Sequence, residues 1–251
     1  MLKPTIRLFA LITSCAAALP AFAQTCAQAD AKLAQSYRAM KQYGNYSGTP
    51  NPAKRKHAAR TFETVLKNYL RRADSERCPF HAAKEEGLGD TGTVGTMRAF
   101  SWDAQNSGTW HNELTLIRFK DAHGRVRFHK EEFDTTEQIL TDRLNGRRVY
   151  LLIGSNQVTS ARVVRFARWY EIRGSRLVPL KLFALGKLSY SVSYEHNFFT
   201  VDADVVRRGY FHYDPATRTF DHPVVKNDVI QPQRMFYRFD GRKFVRTGLK
   251  P

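Results

Sequence analysis

The stretch Met235-Phe236-Tyr237-Arg238-Phe239-Asp240-Gly241-Arg242-Lys243-Phe244-Val245 decides the class of this chain. Aromatic and basic residues alternate up to Asp240-Gly241, and an apolar run resumes after two cations. Alternation with period two is the signature of a strand with one covered face. Asp-Gly favours the tight type I′ turn of a β-hairpin. A two-residue turn predicts that Tyr237 faces Phe244 across the hairpin, with both on one side.

Working backwards, three more segments share this plan of aromatic strand, turn, basic residue and apolar strand. Leu114 to Phe119 and Arg125 to Phe128 flank Asp121-Ala122-His123-Gly124. Phe166 to Ile172 and Arg176 to Leu180 flank Arg173-Gly174-Ser175. Tyr210 to Tyr213 and Arg218 to Phe220 flank a turn that starts at Asp214-Pro215. The spacing is too irregular for a true repeat, and the length too small for a usual propeller. The expectation for 96–251 is a mainly antiparallel β domain, as a curved sheet, sandwich or incomplete barrel. Thr135 to Leu144 reads as a short helix or loop between strands.

Before residue 87 the pattern is helical. Leu33, Tyr37 and Met40 recur at helical spacing within Cys26 to Gln42. After a Gly, Asn and Pro-rich loop, a second helix is expected from Pro52 to about Ala73, with Ala58, Phe62, Val65, Leu66, Tyr69, Leu70 and Ala73 on one face. Its other face carries Arg60, Lys67, Arg71 and Arg72, either a solvated face or a surface for anionic lipid. Gly87-Leu88-Gly89-Asp90-Thr91-Gly92 matches the G-x-G-x-x-G pattern, but no strand precedes it and a strand-like segment follows. The match is therefore accidental.

At the start, Lys3 and Arg7 precede an apolar run from Leu8 to Leu19, and Ala21-Phe22-Ala23 offers the small residues a signal peptidase reads. Residues 1–23 are read as a removable leader, with the mature chain expected to begin at Gln24. The run is short of the roughly 20 residues that span a bilayer. Ile12-Thr13-Ser14-Cys15 loosely resembles a lipoprotein box, but the apolar run before it is short. With Cys15 removed, Cys26 and Cys78 remain, an even pair in a chain bound for an oxidising compartment. They are expected to bond, stapling the helical region at 24–86. The fold class expected is thus α+β, a disulfide-stapled helical hairpin followed by the β domain, in a periplasmic or secreted protein.

The chain carries 40 Lys and Arg against 23 Asp and Glu, a formal net charge of +17. The leader holds only two of those cations. Such a field attracts anions. In an envelope these are lipid head groups, phosphorylated glycans, acidic wall polymers and acidic proteins, whereas nucleic acid is not an expected partner. The plainer account is that charge keeps an exported protein in solution.

The densest chemistry lies in Ser101-Trp102-Asp103-Ala104-Gln105-Asn106-Ser107-Gly108-Thr109-Trp110-His111-Asn112-Glu113. On a strand, His111 and Glu113 share a face, and Asp103 could lie across a hairpin from them. Such a group could work as acid and base or, beside Trp102 and Trp110, bind a sugar ring. The structural account is a hairpin with buried aromatics and Asp103 bonded to turn amides. His212 with Asp214 and Asp202 with Asp204 are thinner pairs, and the latter lack a calcium loop. No H-E-x-x-H, G-x-S-x-G or P-loop is present, and no metal or cofactor is called for.

Ser101-Trp102-Asp103 with Ser107-Gly108-Thr109-Trp110-His111, the segment Tyr150-Leu151-Leu152-Ile153-Gly154-Ser155 and the closing Tyr237 to Gly241 hairpin together resemble a family of uncharacterised secreted bacterial proteins. That family is marked by S-W-D, G-G-T-x-H and Y-L-L-x-G-S segments. The chain departs in having Ser107 at the first Gly. The resemblance implies a shared fold over about residues 97–250 and lends no activity or catalytic residue. The expected function is therefore an exported envelope-binding protein with an anionic partner. The alternative is a hydrolase acting on envelope glycan through Asp103, His111 and Glu113.

Overall fold

A computed structural model describes residues 25–107, 111–132, 134–201 and 209–250. The expected leader at 1–23, Trp110, Asp202 and Asp204 lie outside them. Two long helices come first, α1 (Cys26–Gln42) and α2 (Pro52–Leu70), then a 3-10 turn (Ala73–Glu76) and the short α3 (His81–Glu85). Their starts follow from local chemistry. Thr25 and Gln28 form a reciprocal capping box on α1, and Asn51 caps α2 with Pro52 in its first turn. The buried Asp30 of α1 accepts the Ala82 and Ala83 amides at 2.8 and 3.0 Å, and so holds α3. Cys26 and Cys78 are bonded. No described helix is long and apolar enough to cross a membrane.

Among the described residues fifteen strands follow: β1 (Gly89–Asp90), β2 (Met97–Asp103), β3 (Glu113–Lys120), β4 (Val126–Glu132), β5 (Thr135–Leu144), β6 (Arg147–Gln157), β7 (Arg162–Arg173), β8 (Arg176–Leu180), β9 (Phe183–Leu185), β10 (Lys187–Ser189), β11 (Ser191–Asn197), β12 (His212–Asp214), β13 (Thr219–Lys226), β14 (Val229–Phe239) and β15 (Phe244–Lys250). They form three sheets, in the orders β1-β2-β3-β4, β11-β7-β6-β5 with β8 also on β7, and β10-β9-β15-β14-β13-β12. Among the described residues all pairings are antiparallel except one contact of β15 with β9. The architecture is α+β, with the curled β structure expected from the hairpins.

Three cores separate the layers. The helices pack through Leu33, Tyr37, Phe62 and Leu66 on Phe100, Trp102 and Leu116 of the first sheet. The other face of that sheet meets the second through Met97, Ala99, Ile117, Tyr150 and Leu152. The second meets the third through Leu151, Trp169, Phe183, Phe220 and Phe244. Strand β2 is therefore buried at every residue, and the middle of β6 is buried on both faces. Gly154 of β6 lets the flanking strands of its own sheet close in: a Cβ there would sit 1.9 Å from the Thr135 carbonyl oxygen and 2.7 Å from the Phe166 ring.

Two expectations are corrected. Thr135 to Leu144 is a full strand. A bulge lies between Thr136 and Gln138, and beyond it ordinary alternation sends Ile139 into one core and Leu144 into the other, so that the apolar residues do not mark a single face. The last hairpin closes with Phe239 opposite Phe244 and Tyr237 opposite Arg246, leaving a four-residue loop. Asp240 determines this, because its carboxylate accepts the Arg242 and Lys243 amides at 2.8 and 2.9 Å.

Candidate functional site

Asp103 ends β2 and Glu113 begins β3, and the two are directly opposed across the ladder, so their side chains share a face. His111 enters two residues before Glu113. One ligand-type atom from each of the three lies within 4.8 Å of the others. His111 Nδ1 is 2.5 Å from Asp103 Oδ2. The other oxygen, Oδ1, accepts the Gln105 amide at 2.7 Å, and Gln105 takes the left-handed conformation at φ 57°. Asp103 therefore both fixes the turn, as its structural account expects, and faces His111.

The neighbours come from elsewhere in the chain. The α1–α2 loop lies over the turn: the Asn45 amide donates to the Gln105 carbonyl at 3.0 Å, and Asn45 Nδ2 donates to the Ser107 carbonyl at 3.1 Å. Gly44 is needed for that approach, since a Cβ there would meet Gln105 Cβ at 2.8 Å. The Tyr46 ring lies 5.6 Å from the His111 ring. Tyr37 of α1 closes the inner side. Its phenol is pushed well up by burial, and then by the Asp103 and Glu113 charges.

Glu113 is likewise pushed up, first by burial and then by Asp103, with His111 offsetting part. A carboxyl raised by folding opposes folding as it ionises. Its contribution is full below the unfolded value near 4.5 and is lost as pH rises through the folded value. Glu113→Gln is therefore expected to raise the urea midpoint at about pH 7 and to leave it unchanged at about pH 3. A lower midpoint at neutral pH would mean that ionised Glu113 supports the fold.

A second concentration of charge lies at one end of the β layers. The β5–β6 turn touches the β14–β15 loop through Asn145 Nδ2 on the Gly241 carbonyl, at 2.7 Å. Arg218 of the β12–β13 turn donates to the Arg143 carbonyl at 3.2 Å. Arg147 and Arg173 share Glu171. A cleft of about 340 Å³ joins the β3–β4 turn to this end, with Lys120, Asp121, Arg147 and Arg148 among its lining. Five hairpin turns thus converge. Arg143 is directly opposite Arg148, and Arg173 opposite Arg176, all four exposed.

The acids at this end are engaged. Asp121 holds Arg125, Arg127 and two amides, and Asp142 accepts from Tyr213. Asp214 and Asp240 bond their own turns. Among the described residues no carboxylate makes an ion pair with Arg143, Arg148, Arg176, Arg218 or Arg242.

The other nominated residues are placed as follows. Trp102 is 3% exposed and packs edge-on against Phe62 in the helix core, with ring centroids 5.2 Å apart. On α2, Lys67 pairs with Glu63, Arg72 with Asp74, and Arg71 bonds Asn68 and lies over the Phe128 ring. Arg60 is exposed. His212 bonds Asp221 rather than Asp214.

No family model, curated protein or solved structure matches the chain.

Tyr37, Gln105 and the gathered arginines were not singled out as site residues from sequence. Tyr37 carried only a core signal. The basic residue that follows each turn was visible, but not the topology that brings these residues together.

Proposed function

We propose that this is an exported envelope-binding protein that engages a phosphate-bearing polyanion through the arginine-rich end of its β layers. One observation carries the reading: at two neighbouring hairpin ends arginine stands opposite arginine, where the local acids are already engaged. Like charges in directly opposed positions destabilise a sheet, and an anion bound between them removes that cost. Arginine also suits phosphate, through bidentate hydrogen bonds. The disulfide and the leader-like first residues support an oxidising compartment. The α2 face is the weaker surface, since three of its four chosen cations are held within the chain.

The test uses long-chain polyphosphate and, in a separate arm, vesicles containing phosphatidylglycerol. Binding is expected to fall steeply as salt shortens the screening length from about 10 Å at 0.1 M to about 3 Å at 1 M. Arg148→Ser with Arg176→Ser and Arg242→Ser should weaken polyphosphate binding by about tenfold or more, equivalent to about 1.4 kcal/mol. Arg60→Ser with Arg71→Ser should leave it nearly unchanged. Equal losses from both sets would reduce the attraction to net charge. Binding to vesicles alone would move the partner to a lipid surface.

A second reading, hydrolysis of envelope glycan, is supported by the convergence of Asp103, His111 and Glu113. A carboxyl biased towards its protonated form beside a carboxylate–imidazole pair can supply an acid and a base.

A further inference from the structure

The Asp103–His111–Glu113 group presents one imidazole nitrogen and two carboxylates from a hairpin base. Asp103 and Glu113 are fixed by the last rung of the β2–β3 ladder, and Asp103 is oriented further by the bond from Gln105 to its Oδ1. That bond leaves Oδ2 facing His111. Metal sites are commonly arranged in this way, with one carboxylate oxygen on the frame and the other on the ion.

The charges point the same way. The chain has a surplus of cations, yet among the described residues no Lys or Arg pairs with Asp103 or Glu113. The group they face is His111, whose side chain is 46% exposed, while Asp103 is 8% exposed. Every other strongly buried carboxylate that pairs in this fold has an arginine: Asp90 has Arg98, Asp121 has Arg125 and Arg127, and Asp221 has Arg234.

The distances are close to those an ion needs. Zinc bonds nitrogen and oxygen at about 2.0–2.2 Å in a tetrahedron, which puts neighbouring ligand atoms about 3.3 Å apart. The Asp103–His111 contact must open from 2.5 Å and the widest pair close from at most 4.8 Å. A half-exposed imidazole can make the first of these adjustments by moving off Asp103. An imidazole with two carboxylates favours zinc, nickel or copper over magnesium and calcium, which prefer all-oxygen shells.

We infer that Asp103, His111 and Glu113 form a binding site for a single divalent transition-metal ion of zinc type, with a fourth position open to water or a ligand. The inference concerns a different site from the polyanion surface and depends on neither functional reading.

The test is calorimetric titration of Zn²⁺ into chelator-treated, disulfide-intact protein, with native mass spectrometry to count ions. One zinc per chain is expected, not displaced by excess Mg²⁺ or Ca²⁺. His111→Ala and Glu113→Gln should each weaken binding by roughly 100-fold, about 2.7 kcal/mol. His57→Gln, on an exposed part of α2, should leave it unchanged. Glu113→Gln keeps the shape of the side chain, so an unfolded His111→Ala protein would still leave the question answerable. Wild-type protein that takes up no stoichiometric zinc, or variants that bind it as tightly, would overturn the site.

Discussion

Arg98→Met is expected to destabilise the fold by about 3–5 kcal/mol at neutral pH, read as a fall in the urea midpoint without a change in slope. Arg98 lies on β2 with its side chain 5% exposed and forks onto Asp90, which is 2% exposed, at 2.6 and 2.7 Å. Two more of its hydrogens go to the Ser75 and Cys78 carbonyls at 2.8 and 3.2 Å. The guanidinium also lies 4.8 and 5.0 Å from the centroids of the Phe80 and Phe100 rings, which meet edge-on beside it. Methionine fills much of the same volume, so the chief cost is a buried carboxylate left without a counter-charge, holding only the Gly92 amide at 2.9 Å, and two carbonyls that lose their donor. Lys84 remains 3.6 Å from Asp90, but it is half exposed and compensates little.

The pH dependence separates this account from simple loss of packing. Burial alone would raise the Asp90 carboxyl, but the hydrogen bonds and charge of Arg98 hold it below its ordinary value of 3.8. A depressed folded pKa contributes stability above the unfolded value, and that contribution is lost as pH falls through the folded one. In Arg98→Met, burial dominates and Asp90 takes up a proton at higher pH. The stability gap between the two proteins should therefore narrow as pH falls towards about 3. Adding Asp90→Asn should restore part of the loss at neutral pH. A gap that is constant with pH and insensitive to Asp90→Asn would assign the loss to packing.

Arg98 also shows where reading by pattern fails. It alternates with Met97 and Ala99, which is the mark of a solvent-facing position, yet Arg98 and its cross-strand partner Arg118 point into the helix layer. There Arg118 meets Glu76 at 2.7 Å and Arg98 meets backbone carbonyls beyond the end of α2. Cationic groups are favoured there because a helix end leaves its carbonyls unpaired. Which face of β2 is covered by helices depends on contacts distant in sequence. The helices themselves were legible, because Leu33, Tyr37 and Met40 or Phe62, Leu66 and Tyr69 keep one face against one core. Four hairpins were legible from their turns. Strand β5 was not, because its apolar residues are divided between two cores, Ile139 on one face and Leu144 on the other.

The candidate cluster was legible because Asp103, His111 and Glu113 flank a single turn, so that pairing of local strands is enough to bring them together. Tyr37 and the Gly44–Tyr46 cover come from the helical layer and carried no such local sign. The arginine-rich end was half legible. The basic residue after each turn is a local feature, but the strand orders that align five turns are set by burial of Trp169, Phe183, Phe220 and Phe244 between sheets. That aromatic core has no directional preference readable from a short window.

Replacing Cys26 and Cys78 together by serine is expected to lower stability by about 4 kcal/mol in the chain-entropy model, because the bond closes a loop over a separation of 52 residues. The helices should remain docked in the variant, since Leu33, Phe62, Leu66 and Phe80 still pack on Phe100 and Trp102. Far-ultraviolet and near-ultraviolet dichroism should thus be nearly native while the denaturation midpoint falls. Polyphosphate binding should be unaffected, because the arginines concerned stand on hairpins of the second and third sheets. The bond and Arg98 also act on one segment: Arg98 grips the Ser75 and Cys78 carbonyls, and Cys78 carries the bond. Once either restraint is removed, the other has less ordered chain to hold. The combined variant should therefore lose less than the two separate losses together, by more than the roughly 0.3–0.5 kcal/mol expected of independent sites. Additive losses would mean that the disulfide acts only on the unfolded chain and Arg98 only through Asp90.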